Sequence, residues 1–445
     1  MAVIRALHKF IYFDELVPRI FRNVAILVSS TTVVAVLGLV TLALTARALG
    51  PAGVGILALV EAYIRTVDLL TRLQPTQALI KHGADALEAG DGARFGRLVK
   101  LSMLIDLAGG IVAGSIAIAL GFWVAPLIGL GPDGYDYILL VALAMFVSFR
   151  PTGIAVLRLF DRFGVLALSD AAVALLRLAI AATALALDLG IWAFIAMLFV
   201  HSLLDGLVAF GFAVRELVRR GHGGFWRAAG RHAFGENPGF TRLLWNSNFN
   251  QILRNATQRF DVLALGALVS PATVGLYQVA KRSGKALLRL GRTFTQVLFP
   301  ELAKLWGRGD QARFGRLIRR ATGLTFALSM ALFVPLAFVV PSLVDLAFGA
   351  EFSPAVPLIF VQGVAIILNL TGLAFNPALM SMGLDRQLLT ITFIGAVAFA
   401  LAFVPAVMVG SALGAMVCHV LFSLIWFIGC GWLLMRHADR RETTG

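Results

Sequence analysis

The chain has few charged residues, few acids and almost no cysteine. Charged residues occupy 14% of its 445 positions, against about 25% in soluble domains, and only 24 residues are acidic against 38 Lys and Arg. The two cysteines, Cys418 and Cys430, would lie about 18 Å apart on one helix, which is too far for a disulfide. Hydrophobic residues reach 59%, which excludes a disordered chain and an ordinary soluble domain. In a soluble protein the net charge of +14 would indicate nucleic acid, but this composition predicts an all-α polytopic membrane protein without that partner.

Twelve stretches are apolar and about 20 residues or more in length, which is long enough to cross a bilayer. Their approximate bounds are 24–45, 54–73, 98–124, 137–160, 165–187, 191–214, 243–269, 273–299, 321–340, 354–382, 388–409 and 412–435. The second, seventh and eighth stretches carry charges and are therefore weak by hydropathy. We predict twelve transmembrane helices.

Lysine and arginine outside these spans fall almost entirely on one side. Twenty-six lie on the side of the two chain termini, whereas Arg47 stands alone in the short loops of the other side. Because cytoplasmic loops carry the excess of Lys and Arg, both termini are predicted to be cytoplasmic. The remaining eleven positive residues fall inside the predicted spans.

Two short motifs recur at nearly the same offset. The motif GDGARFGRL at 90–98 returns as GDQARFGRL at 309–317, and PAGVG at 51–55 returns as PATVG at 271–275. The repeat predicts two six-helix halves, 23–214 and 243–435, related by a pseudo-two-fold axis along the membrane normal. They are joined by a basic linker at 215–242 and flanked by an interfacial segment at 1–22 and a tail at 436–445. We interpret the GD motif as a turn followed by a basic interfacial helix.

The second span carries four charges on one helical face. Glu61, Arg65, Asp68 and Arg72 follow i, i+4, i+7 and i+11 spacing with alternating sign. The set is formally neutral, so structural pairing inside the bundle and a role in transport are both open.

The seventh and eighth spans carry seven positive residues and one acid. The residues are Arg254, Arg259, Asp261, Lys281, Arg282, Lys285, Arg289 and Arg292. Pairing within these two spans cannot neutralise the excess, so the pattern predicts a cationic cavity for an anionic head group, with phosphate as the natural partner. We expect Arg150 and Arg177 to add to this cavity. The alternative for Arg289 and Arg292 is that they extend to the cytoplasmic rim.

Motifs for nucleotide or metal chemistry are missing. Ser283-Gly284-Lys285-Ala286 lacks the flanking residues of a P-loop, and no H-E-x-x-H or C-x-x-C occurs. We therefore expect no cofactor and no metal, with transport driven by an ion gradient or by the substrate's own gradient. His201 and Asp205, four residues apart in the sixth span, fit either a proton relay or a packed histidine.

The sequence resembles the polysaccharide (O-antigen type) flippases of the multidrug/oligosaccharidyl-lipid/polysaccharide (MOP) exporter superfamily. The resemblance rests on the span pattern, the junction RALGP-x-x-x-G at 47–55, the GD loop, Asp261-x-x-x-Leu265-Gly266, Val274-Gly275-Leu276-Tyr277 and the basic eighth span. It implies a V-shaped transporter like the multidrug antiporters. It further implies that the protein moves an undecaprenyl-pyrophosphate-linked oligosaccharide across the bacterial inner membrane by alternating access.

From the charge pattern and the resemblance together, we predict roles for particular residues. The predicted substrate ligands are Lys281, Arg282, Lys285, Arg289, Arg254, Arg259, Arg65, Arg150 and Asn250. The predicted ion-coupling residues are Asp261, Asp68, Glu61 and Asp205. Expected partners are the lipid-linked oligosaccharide, membrane lipids and the polymerase and glycosyltransferase machinery.

Three other classes of protein are possible, and each would require different sequence features. A lipid II flippase tends to have two further helices, and a drug antiporter needs acids to hold cationic drugs. A membrane enzyme acting on the same lipids would need a long periplasmic loop with His or carboxylates, whereas the predicted periplasmic loops are short and lack histidine.

Overall fold

The computed structural model describes the backbone of residues 2–442 and the side chains of residues 29–230, 232–252, 260–284, 288, 295 and 298–437. Residues 2–442 are helical almost throughout and contain no β-strand. The helices are α1 (Ala2–Thr71), α2 (Thr76–Glu88), α3 (Gly92–Leu127), α4 (Gly134–Leu143), α5 (Arg150–Leu159), α6 (Phe163–Ala186), α7 (Gly190–Arg219), α8 (Ala233–Glu236), α9 (Phe240–Gly266), α10 (Pro271–Gly307), α11 (Gln311–Phe348), α12 (Ala355–Thr371), α13 (Phe375–Ser381) and α14 (Asp385–Glu442).

Eight helical stretches in the described chain are long and apolar enough to cross a membrane. They are Ser29–Thr71, Gly92–Leu127, Gly134–Leu159, Phe163–Ala186, Gly190–Arg219, Gln311–Phe348, Ala355–Ser381 and Asp385–His437. The first and the last of these stretches each contain two predicted spans. Gly50 (φ 62°) interrupts α1 between its two spans, and Ser411 (φ 53°) interrupts α14 in the same way. The eight cover ten predicted spans, and the other two coincide with the charged helices α9 and α10. The all-helical membrane fold is confirmed, while the count of twelve stays a prediction.

The repeated GD motif forms the same local structure in both copies. Gly90 and Gly309 adopt left-handed backbone conformations, with φ of 70° and 74°, which glycine tolerates without strain. The next residue caps a helix: Asp91 accepts from the backbone N–H of Arg94 at 2.8 Å, and Asp310 accepts from that of Arg313 at 3.0 Å. The predicted turn followed by a helix is therefore present at both places.

The repeated PA-x-VG motif joins the two halves of the chain. A Cβ atom on Gly55 would lie 1.7 Å from the carbonyl oxygen of Pro271, and one on Gly275 would lie 2.0 Å from that of Pro51. Each glycine thus packs on the proline carbonyl of the other copy, as two-fold-related elements require. The contact lies where α1 meets α10, the helix pair with the most extensive contact in the described chain.

Alanine at Gly55 or Gly275 should push α1 and α10 apart, because the added methyl group meets backbone that cannot rotate away. Overpacking of this kind costs about 1–3 kcal/mol of folding stability. Thermal unfolding of the purified protein should show the loss for either variant. Gly211→Ala in α7 is the matched control, since nothing lies within 4 Å of its added Cβ. Equal transition temperatures for Gly55→Ala and the control would contradict the reciprocal contact.

Helix α9 packs into two different hydrophobic clusters, one near each of its ends. Near its start, Phe240 and Leu244 are buried in a hydrophobic cluster with residues of α2, α3, α5 and α7. Towards its end, Val262 and Leu265 join the largest cluster, which contains residues of α1, α10 and α14. The charged seventh span is consequently held against both halves of the bundle.

Candidate functional site

The carboxylate of Glu61 on α1 gathers arginines from three helices. Arg65, one turn further along α1, donates from Nε to Glu61 at 2.9 Å, as its i, i+4 position favours. Arg282 of α10 places Nη2 2.5 Å from the other carboxylate oxygen, and Arg177 of α6 places Nη2 3.9 Å from it. We call these four residues the Glu61 cluster.

The Glu61 cluster combines residues that the sequence analysis assigned to different roles. Arg65 and Arg282 are predicted to bind substrate and Glu61 to couple an ion, yet both arginines contact the Glu61 carboxylate directly. Glu61 belongs to the first half of the chain and Arg282 to the second, so their ion pair ties the halves together. Among its members the cluster carries two positive charges in excess, within helices that cross the apolar bundle.

Two residues fix the position at which helix α10 begins, and this position determines where Arg282 lies along the helix. Pro271 occupies the first helical turn, where its missing N–H costs nothing, and the Ser270 side chain accepts from the backbone N–H of Thr273 at 3.4 Å. Three turns later the same helix directs Arg282 towards Glu61 and Lys281 towards α9.

A polar cavity of about 310 Å³ opens beside the Glu61 cluster. Its walls come from α1, the start of α2, α4, α5, α7 and α9, including the 3-10 turn and loop between α4 and α5. The ionisable residues that line it are Glu61, Arg65, Asp68, Arg72, Arg150, His201 and Asp205. Its size falls within the range of small-molecule sites, so it is large enough for a charged group of a ligand.

Arg150, at the start of α5, is held by two carboxylates. Its guanidinium contacts Asp205 of α7 through Nη1 and Asp170 of α6 through Nη2, the latter at 3.1 Å. The predicted substrate ligand Arg150 and the predicted coupling residue Asp205 are thus paired with each other. The three groups together carry one negative charge, opposite in sign to the Glu61 cluster, and Arg150 and Asp205 line the cavity.

Arg72 supports the cavity wall where the fourth predicted span breaks between α4 and α5. Its side chain is 4% exposed, and Nε lies 2.8 Å from the carboxylate of Asp68. Its Nη2 donates to the carbonyl of Met145 at 2.7 Å and Nη1 to that of Ser148 at 3.4 Å. Asp68, a predicted coupling residue, therefore takes part in the structural pairing that the sequence analysis left open.

A second network surrounds the buried carboxylate of Asp261 on α9. Asp261 accepts from the ammonium of Lys281 and from the hydroxyl of Tyr277 at 2.6 Å, and it lies 3.1 Å from Nε2 of His419 on α14. Tyr277 and His419 are themselves 2.7 Å apart. Lys281 is only 4% exposed, so the predicted substrate ligand and the predicted coupling residue form one buried pair.

Five of the predicted substrate ligands lie outside the two networks described above. The side chains of Arg254, Arg259, Lys285 and Arg289 lie outside the described residues. Asn250 is described and is exposed on α9, without lining the cavity.

Three polar residues lie where α9 meets the end of α1: Asn248 and Gln251, whose span was predicted to contact the sugar hydroxyls of the substrate, and Gln74, which was not predicted. Asn248 accepts from the backbone N–H of Gln74 at 2.8 Å, and Gln251 donates from Nε2 to the side chain of Gln74 at 3.0 Å. The density of Asn and Gln in the seventh span was the available signal. Gln74 lies just after the second span and carried no such signal.

Long apolar helices around a charged interior cavity define a multi-pass membrane fold. Lipid II flippase MurJ in its inward closed conformation is similar with a TM-score of 0.70 and 12% identity, covering 92% of this chain and 87% of that one. An inward-facing multidrug resistance MATE transporter of the MOP superfamily is similar with a TM-score of 0.61 and 16% identity, covering 94% and 96%. These likenesses show the fold.

The chain belongs to the family described as polysaccharide biosynthesis protein, which matches residues 20–306. Inner membrane protein YghQ of Escherichia coli (strain K12) is 28% identical over 352 residues, which covers 76% of this chain and 95% of that protein. The family match and the fold confirm the resemblance to MOP-type polysaccharide flippases. The protein is a multi-pass membrane protein of the polysaccharide biosynthesis family and has the fold of the MurJ and MATE transporters.

Proposed function

We propose that the protein is a flippase for an undecaprenyl-pyrophosphate-linked oligosaccharide, working in the bacterial inner membrane with both termini in the cytoplasm. The observation that carries the proposal is the Glu61 cluster, in which three arginines face a single carboxylate. Guanidinium groups bind phosphate oxygens in bidentate geometry, and a pyrophosphate offers the negative charge that the cluster lacks.

In this mechanism Glu61 holds the place of the substrate anion. When the pyrophosphate reaches Arg65 and Arg282, it competes with the carboxylate for their N–H groups. Displacing Glu61 breaks the ion pair between α1 and α10, which removes a contact between the two halves. Binding thereby favours the rearrangement that alternating access requires, since a ligand shifts a conformational equilibrium only through contacts that differ between the states.

Ion coupling is best supported at the group of Arg150, Asp170 and Asp205. The net negative charge of these three groups borders the cavity through Asp205, so a proton or a metal cation there would neutralise it. Asp261 is neutralised by Lys281 and Asp68 by Arg72, and Glu61 faces three cations. Asp205 is therefore the preferred coupling carboxylate of the four predicted from the sequence.

A flippase of the lipid II type is the second candidate, favoured by the similarity in fold to MurJ. Both candidates take a polyprenyl pyrophosphate, and they differ in the attached sugars. A drug antiporter fits less well, because the excess positive charge of the Glu61 cluster repels cationic drugs. We further propose that polymerase and glycosyltransferase machinery supplies and consumes the lipid-linked glycan.

Reconstitution into liposomes tests the proposal. A labelled polyprenyl-pyrophosphate oligosaccharide placed in both leaflets should become fully accessible to an external glycosidase when the protein is present. In protein-free liposomes only the outer-leaflet share should be cleaved. The recovered lipid should be chemically unchanged when the glycosidase is omitted. Accessibility equal to that of protein-free liposomes, or a covalently altered lipid, would contradict a flippase.

A further inference from the structure

The two copies of the GD motif differ in what covers the helix that each begins. In the first copy, the linker crosses the outer face of α3. Phe225 of the linker packs on Gly96, where an added Cβ would lie 3.6 Å from the Phe225 Cα. The ammonium of Lys100 lies 5.8 Å from the ring centroid of Trp226. The linker thus places two aromatic residues on this face of α3.

The linker also supplies polar partners for the two arginines of the motif. Glu236 accepts a hydrogen bond from Nε of Arg97 at 2.7 Å, and the side-chain oxygen of Asn237 accepts one from Nε of Arg94 at 2.9 Å. Asn237 is 1% exposed, so its contact is shielded from water. Residues 225–237 of the linker therefore form a peptide segment that a carboxylate, an amide and aromatic side chains hold on the basic face of α3.

In the second copy, the same face of the helix is open. The equivalent residues of α11, each 219 positions later, are Arg313, Gly315, Arg316 and Arg319. Among the described residues, no atom of a neighbouring segment lies within 4 Å of a Cβ added to Gly315, and the three arginines are exposed. Arg313 pairs with Asp310 at the start of its own helix and is still 71% exposed. We call these four equivalent residues the open face of α11.

The inner sides of the two helices match, so the difference lies in the cover. Phe95 and Phe314, which follow the first arginine of each motif, are 0% and 5% exposed. Because both helices bury the same aromatic residue, their arginines project outwards in equivalent directions. The residues that bind the linker in the first copy are thus repeated in the second at a face that stays exposed.

We propose that the open face of α11 docks a cytoplasmic segment of a partner protein that carries carboxylates next to an aromatic ring. The first copy shows the chemistry that fits, because there the repeated arginines and glycine contact a carboxylate, an amide and an aromatic residue of the linker. Charge complementarity favours the carboxylates, since arginine and carboxylate form charge-assisted, frequently bidentate hydrogen bonds. The next position, buried Leu101 in the first copy, is exposed Arg320 in the second and adds a positive charge.

Anionic phospholipid is the competing occupant of a basic surface beside a membrane. Under the predicted two-fold axis along the membrane normal, the beginnings of α3 and α11 lie at the same depth. At that depth the first copy is covered by a peptide segment instead of lipid. A lipid head group also offers no side chain to fill the open space above Gly315. The observations therefore favour a peptide.

Binding of a labelled peptide to the purified wild-type protein tests the inference without requiring transport, so its outcome is independent of the proposed flippase function. The probe is a fluorescent peptide with the linker sequence 222–237, in which Arg227→Glu and Arg231→Glu give it a charge opposite to that of the open face. The protein is held in nanodiscs of zwitterionic lipid, and fluorescence anisotropy measures the affinity. We expect the wild type to bind the probe, and an Arg313→Ala, Arg316→Ala double variant to bind it at least tenfold more weakly.

An Arg215→Ala, Arg386→Ala double variant is the matched control, because it removes two exposed arginines on the same predicted side of the membrane but outside the open face. It should bind the probe within twofold of the wild type, and a peptide with glutamine in place of the three glutamates should bind the wild type at least tenfold more weakly. No binding of the probe by the wild type, an equal loss in both double variants, or full binding of the glutamine peptide would overturn the inference. So would displacement of the probe by an equal concentration of a soluble short-chain phosphatidylglycerol, since the open face would then be a lipid site.

Discussion

Replacing Lys281 by methionine is expected to destabilise the protein by about 3–5 kcal/mol, the usual cost of leaving one partner of a buried ion pair uncompensated. Asp261 is 2% exposed, and the ammonium of Lys281 is the cation that faces it from the next helix. Tyr277 and His419 lie within hydrogen-bond distance of the same carboxylate, and Lys281→Met leaves both in place. Chemical denaturation of the purified protein measures the loss.

Two further variants make that result specific. Lys281→Met combined with Asp261→Asn removes both charges and should recover most of the lost stability. Lys304→Met on the same helix removes a lysine whose pair with Glu301 is about 60% exposed at both residues, so it should cost less than about 1 kcal/mol. A double variant as unstable as Lys281→Met alone would contradict the buried pair.

The double variant also separates a structural role of Lys281 from the substrate-binding role predicted from the sequence. If Lys281 only neutralises Asp261, the recovered double variant should flip the lipid-linked glycan at a rate near that of the wild type. If Lys281 binds pyrophosphate, the same stable protein should lose flipping. Measuring stability and flipping on one preparation distinguishes the two roles.

Replacing Arg282 by alanine is expected to lower flipping by roughly ten- to hundredfold, because it removes a charge-assisted hydrogen bond worth about 1.5–3 kcal/mol. The Glu61 cluster would keep Arg65 and Arg177, so the carboxylate stays paired and the protein should remain folded. Arg308→Ala, an exposed arginine at the end of the same helix, is the matched control and should flip at the wild-type rate. Initial rates of glycan exposure in liposomes measure both variants.

Removing the competing carboxylate should have the opposite effect on binding. Glu61→Gln leaves the three arginines without their anion, so a polyprenyl diphosphate should bind more tightly than to wild type. Weaker binding to Glu61→Gln, or normal flipping by Arg282→Ala, would contradict the competition between Glu61 and the substrate phosphates.

Much of the fold followed from local sequence patterns. The apolar runs predicted the helices, and the repeated PA-x-VG and GD motifs correctly indicated equivalent structures at 51–55 and 271–275 and at 90–98 and 309–317. The pairing of Glu61 with Arg65 was visible as i, i+4 spacing on one helix.

Partners distant along the chain were not visible in the same way. Arg282 meets Glu61 across 221 positions, and Arg150 meets Asp170 and Asp205 on two other helices. Arg282 of the eighth span pairs outside the seventh and eighth spans, which spacing along a single helix does not reveal. The cationic cavity predicted from the seventh and eighth spans stays a prediction, because the side chains of five of its eight charged residues lie outside the described ones. The assignment of each carboxylate to its cation depends on helix packing.

Equilibrium binding of two matched lipids tests the central claim most directly, namely that the Glu61 cluster recognises a lipid diphosphate. The lipids are a polyprenyl diphosphate and the polyprenyl alcohol of the same chain length, titrated into the purified wild type and into an Arg65→Ala, Arg282→Ala double variant. We expect the wild type to bind the diphosphate at least tenfold more tightly than the alcohol, and the double variant to bind both about equally. Equal affinities in the wild type, or a preference for the diphosphate that survives loss of both arginines, would contradict the claim.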